Sequence, residues 1–187
     1  MSKCKECKCD VCKIICGKKE GIHNEEYILD MKNGWTLNHC DSSEWYLGYL
    51  VMCTTCHKKN FYELTDKELS SLGQNIKWVN CHLNSWWEKN NSNDKIEQIY
   101  LAYLNESAYK RQLFGEELGE QLHVHIHMLP RTKSMREICG VQILGWDLLK
   151  IRNCFPVHYI CDFGKREELM KYLKRSFEEE GKPTKSK

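Results

Sequence analysis

Apolar and polar positions alternate strictly from residue 123 to residue 128, where His123, His125 and His127 interleave with Val124, Ile126 and Met128. Side chains on a strand alternate with a period of two, so a strand here gathers the three imidazoles on one face and an apolar stripe on the other. A helix would scatter them. With a rise of about 3.3 Å per residue, successive imidazoles would be rooted about 6.5 to 7 Å apart. Pro130, which has no N–H for a ladder, stands where such a strand could end.

The same patterning places the other elements. Residues 27–29 and 35–37 read as short strands flanking Asn33-Gly34, the strongest short hairpin signal. Residues 46–52 form a third strand, residues 99–104 a fourth and the histidine segment a fifth. Thr65-Asp-Lys-Glu68 is a capping box. The helix that follows carries Leu69, Leu72, Ile76, Val79 and Leu83 in steps of three and four, one apolar face. Residues 84–94, polar apart from Trp86 and Trp87, read as an exposed connection whose tryptophans make a packing edge or dimer contact. After a charged loop over 105–119 and the histidine strand come a helix over 141–149 and an amphipathic helix over 167–179 with Leu169, Tyr172, Leu173 and Phe177. Short strands followed by helices give an α+β class, with helices packed on a five-stranded, mainly antiparallel sheet.

Composition narrows the partners. The chain has 187 residues and is 41% hydrophobic, enough for one domain with a core, here residues 22–180, carrying an arm at 1–21 and a disordered tail at 181–187. The 28 basic and 26 acidic residues nearly cancel to +2, which gives no electrostatic footprint for nucleic acid or a membrane surface. Lysines and cysteines fill the first 21 positions where a secretory signal needs an apolar run, so a cytosolic protein is expected. Twelve cysteines in that compartment point to thiols or metal ligands rather than disulfides. Cys4/Cys7, Cys9/Cys12 and Cys53/Cys56 are CxxC pairs. By spacing alone, Cys9/Cys12 can be reduced thiols, part of a metal site, or half of a Cys₄ ribbon with Cys53/Cys56; Cys4/Cys7 reads as an exposed pair.

The string from His123 to Arg131, HVHIHMLPR, resembles the His-φ-His-φ-His-φ-φ signature (φ apolar) of the histidine triad (HIT) family. Three further segments resemble that family in the same order. They are the opening CDVCKII at 9–15, Gly48-Tyr-Leu-Val-Met with His57 nine residues after the glycine, and NFYELTD at 60–66. The opening segment is similar to that of zinc-containing bacterial members.

The resemblance implies a nucleotide-binding hydrolase or transferase, usually a homodimer. It would act on the α-phosphate of a dinucleoside polyphosphate or nucleoside phosphoramidate through a nucleotidyl-histidine intermediate. It implies His125 as nucleophile, His127 as a donor on the phosphate or leaving-group side, and His123 as the third triad member. An imidazole suits the first role because it can attack phosphorus and then leave, dividing one displacement into two. Asp41 matches a family acid that binds the ribose hydroxyls, though it also reads as a turn residue, and Asn105 resembles a family asparagine near the phosphate. Cys9, Cys12, His57 and His123 would form a closed Cys₂His₂ site, the composition of structural zinc. The chain departs from the pattern at Tyr49, where many members carry histidine, and at Glu120, where many carry Ser or Thr. Those departures and the Cys-rich arm motivate the alternative of a nucleotide-binding or scaffold protein with little or no catalysis.

Overall fold

The computed structural model describes residues 9–15, 28–40, 47–103, 123–132 and 163–180. In chain order these form α1 (Asp10–Ile15), β1 (Leu29–Asp30), β2 (Trp35–His39), β3 (Leu50–Thr54), a 3₁₀ turn (Phe61–Glu63), α2 (Asp66–Asn90), β4 (Ile96–Tyr103), β5 (His125–Thr132) and α3 (Phe163–Glu180). The expected helix over 141–149, the loop over 105–119 and the tail lie outside the described residues. The strands build one antiparallel sheet in the order β1-β2-β3-β5-β4, with β5 held between β3 and β4.

Asn33 and Gly34 both take positive φ, 57° and 86°, the conformation that a tight Asn-Gly turn demands. They reverse the chain so that Leu29 faces Leu37 and Asp30 faces Thr36. On β5, period two divides the side chains as the sequence predicts. Ile126 and Met128, with Val124 just before the strand, join Leu37, Leu50 and Met52 in the main core. His125, His127 and Leu129 fall on the opposite face. The strand does not end at Pro130, which pairs with Ile99 of β4. Pairing with β3 stops at Met128, so no β3 ladder bond needs the proline's missing N–H.

The capping box forms as read. The Thr65 hydroxyl accepts from the Glu68 N–H at 3.3 Å, and the Thr65 N–H donates to Glu68 Oε2 at 2.7 Å. The buried stripe of α2 departs from the expected face, running through Glu68, Ser71, Asn75, Val79, Leu83, Trp86 and Trp87, while Leu69 is exposed. Glu68 is consumed by the cap, and its backbone carbonyl accepts the Trp35 indole N–H at 2.9 Å, which turns the first helical turn inward. The helix also continues through 84–90, correcting the exposed connection read there. Trp86 and Trp87 extend the stripe into the core, and Trp87 Nε1 donates to the Asp94 carbonyl at 2.6 Å. From α3, Leu169, Met170 and Leu173 complete that core. Both long helices thus cover one face of the sheet and leave the histidine face to other residues.

Candidate active site and metal centre

Three strands bring the functional side chains together. Register sets Cys53 opposite His125 and Val51 opposite His127, with Ala102 of β4 on the other side of His127. A second, smaller apolar cluster of Ile15, Tyr49, Val51, Cys53 and Leu129 occupies this face, with Val11, Tyr100 and Ala102 packed against it. The short α1 therefore lies on the same side of the sheet as the histidines. Burial pushes the Cys53 thiol up to about 12, which keeps it a neutral packing group. Cys53 belongs to this cluster and not to a Cys₄ ribbon.

Each triad imidazole has a different hydrogen-bond partner. His123 Nε2 lies 2.7 Å from the Thr54 carbonyl and 3.0 Å from the Thr54 hydroxyl. A carbonyl only accepts, so Nε2 carries the proton and Nδ1 presents its lone pair to Cys9 and Cys12. His125 Nδ1 lies 2.6 Å from the His123 carbonyl; by the same logic Nδ1 carries a proton and donates. His127 Nδ1 lies 2.6 Å from the Tyr49 hydroxyl. The rings of His125 and His127 meet edge to face at 4.8 Å, so two imidazoles share one site. Arg131 is directed elsewhere, toward Glu97 at 3.9 Å and over the Tyr100 ring at 5.5 Å.

At the start of the strand, the ligand atoms of Cys9, Cys12, His57 and His123 all lie within 4.8 Å of one another. The sulfur of Cys12 is 3.4 Å from His123 Nδ1 and 3.5 Å from His57 Nδ1, and Cys9 Sγ is 3.6 Å from His123 Nδ1. A tetrahedron with Zn–S of about 2.3 Å and Zn–N of about 2.0 to 2.1 Å has S···N edges of about 3.5 Å, so the donor set fits a small tetrahedral cation. The hydrogen bond to Cys12 holds the Cys9 thiol down to about 3 against the opposing effect of burial. That favours the thiolate a metal needs. The Thr54 carbonyl on the far nitrogen of His123 is the outer-shell partner that a ligating histidine ordinarily has.

The structure thus brings together His123, His125, His127, Cys9, Cys12 and His57. Asp41, Asn105 and Glu120 lie outside the described residues, as do Cys4 and Cys7. Sequence reasoning missed Thr54 and the part Tyr49 plays. Tyr49 was legible only as a departure; period two puts it on the face of Val51 and Cys53, and the register of β3 on β5 then sets it diagonal to His127 and within aromatic reach.

No family model matches the sequence, and a search of curated proteins found no match. Solved structures do match. A hypothetical histidine triad nucleotide-binding protein from Sulfolobus tokodaii strain 7 aligns with a TM-score of 0.53 at 19% identity, over 91% of this chain and 93% of that one. The fold is HIT-like. A Hit-like protein involved in cell-cycle regulation from Bartonella henselae gives 0.52 at 12% identity, over 89% and 93% of the two chains. A uridylyltransferase gives 0.52 at 12% identity over 91% of this chain, which spans 45% of that larger one. Identities this low carry the HIT-like architecture; the chemistry has to be argued from the side chains.

Proposed function

We propose that the protein is a nucleotide hydrolase or transferase that acts on the α-phosphate of a dinucleoside polyphosphate or nucleoside phosphoramidate. The observation that carries this reading is the 2.6 Å bond from His125 Nδ1 to the His123 carbonyl, which fixes a proton on Nδ1, so that the neutral ring carries its lone pair on Nε2. Nε2 attacks the α-phosphorus, a P–N bond forms, and the bond from phosphorus to the leaving oxygen or nitrogen breaks. The leaving group departs with a proton taken from solvent, and the water that attacks in the next step returns one to it. Water then attacks the same phosphorus, the P–N bond breaks, and nucleoside monophosphate leaves with His125 regenerated. His127 donates to phosphate oxygens, where its hydrogen bond strengthens as charge develops. Asp41 and Asn105 are assigned to the ribose and the phosphate.

Cys9, Cys12, His57 and His123 are assigned to a structural zinc, which when bound supplies a cross-link and no open coordination position. This site joins the 1–21 arm to a single domain over 22–180. The nucleotide is the proposed partner, together with a second copy of the chain as a homodimer. Among the described residues no helix is long and apolar enough to cross a membrane, in keeping with the cytosolic setting proposed here.

The test is incubation of the purified chain with a diadenosine polyphosphate and with an adenosine phosphoramidate. Release of nucleoside monophosphate is expected, with at least a ~10³-fold loss in His125→Ala and unchanged metal content. A protein that binds nucleotide but releases none, and leaves His125 unlabelled, would be a binding module instead.

A further inference from the structure

We infer that Tyr49 is a positioning residue that fixes His127 with its Nε2–H directed at the reacting centre. Tyr49 is 1% exposed, and its hydroxyl meets His127 Nδ1 at 2.6 Å. The two rings lie 5.6 Å apart at 48°, so the hydroxyl and not ring stacking makes the directional contact. The fold holds the phenol in place from its other end. Gly48, immediately before it, takes a φ of +82° and gives its N–H to His39 Nε2 at 3.0 Å. Tyr49 belongs with Ile15, Val51 and Leu129 to one buried apolar cluster.

The chemistry of the pair decides the tautomer. An imidazole nitrogen accepts a hydrogen bond better than a phenol oxygen, whose lone pairs are shared with the ring. With neutral His127, the phenol therefore donates to Nδ1 and the ring proton resides on Nε2. If His127 is protonated, Nδ1–H donates to the phenol oxygen, and Nε2 again carries hydrogen. A hydroxyl can do both because it donates and accepts; a backbone carbonyl, as used by His125, can only accept. In either state His127 offers a donor and never a lone pair toward a negatively charged phosphate. Tyr49 thereby separates the tasks of two neighbouring rings, holding His127 Nε2 as a donor beside His125.

The tautomer claim stands on geometry, and its kinetic consequence rests on the hydrolase reading above. The full chain labelled with ¹⁵N-histidine is examined by long-range ¹H–¹⁵N correlation, with His127 assigned through its loss in His127→Gln. The wild-type protein is expected to show the Nε2–H form of His127. Tyr49→Phe, which removes one oxygen, is expected to show a mixture of tautomers and an unchanged melting profile. Its kcat on an adenosine phosphoramidate should fall about tenfold while KM stays within about twofold. A wild-type His127 protonated on Nδ1 alone overturns the inference, even should the Phe variant fail to fold. So does an unaltered His127 signature in a folded Phe variant. Absence of turnover by the wild type would sink the enzymatic reading and leave the tautomer result to decide on Tyr49.

Discussion

At the scale of residues, one strand supplies three identical side chains whose surroundings make them unlike. His123 gives its Nε2 proton to Thr54, His125 gives its Nδ1 proton to a carbonyl, and His127 meets a phenol. Nothing about an imidazole alone assigns those tasks; the partner on the opposite nitrogen does. His39 is a fourth case with a structural consequence. It is buried, donates from Nδ1 to the Cys40 carbonyl at 2.8 Å and accepts from the Gly48 N–H. Burial, with Arg166 adding to it and the Cys40 bond opposing, pushes its pKa from 6.5 down to about 4. Between those values the unfolded chain binds a proton that the folded chain refuses, so stability is lost as pH falls from 6.5 toward 4. The loss attributable to His39 reaches at most about 3 kcal/mol. Urea melts at pH 7 and pH 5 should separate, and His39→Gln should narrow that gap; an equal gap in the variant would remove His39 as its source.

At the scale of elements, the turn before β3 shows how tightly the histidine face is supported from behind. A Cβ on Gly48 would lie 3.1 Å from the Trp87 ring and 3.2 Å from Pro130 Cγ, at a φ of +82° that L side chains rarely adopt. Gly48→Ala should therefore cost about 1 to 3 kcal/mol, read as a lower denaturation midpoint; an unchanged midpoint would mean that the turn relaxes freely. Those contacts also explain what the sequence did and did not disclose. The Asn33-Gly34 hairpin, the capping box and the alternation of β5 are local signals, each readable within a few residues. The path of α2 past residue 83 is not local. Asn84, Asn90 and the polar run around them mimic a loop, but Asn84 and Asn90 return hydrogen bonds to the Asn80 and Trp86 carbonyls at 2.7 Å. Trp86 and Trp87 are paid for by a core that only the folded chain assembles, so their burial could not be read from their neighbours. The contact from Tyr49 to His127 spans 78 residues and depends on strand register, which patterning did not specify.

At the scale of the whole molecule, the sheet separates the large core from the histidine cluster. Its helix-covered face holds the large core, whereas its other face holds the triad, the small apolar cluster and the four-ligand centre. The cluster of Cys9, Cys12, His57 and His123 joins α1 to that second face, since Cys9 and Cys12 come from the arm while His57 and His123 belong to the sheet side. Chelation of the purified protein should release about one zinc per chain and lower the melting temperature. Hydrogen exchange should rise first at residues 9–15, with α2 still protected. Metal retained after Cys12→Ala, or exchange rising uniformly, would show that the four residues do not form the tie.

The alternation of β5 has a consequence for how this gene can vary. Adding or removing residues between Tyr103 and His123 leaves the order of odd and even positions within the strand intact. Deleting a single residue between His123 and His127 would instead exchange inside for outside from that point onward, sending imidazoles toward the core and aliphatics toward the opposite face. Such a lesion is an error of phase, and no substitution at one site could repair it. By contrast, exchanges among apolar residues at 124, 126 and 128 leave that phase untouched, so the core can drift while the histidine face stays fixed.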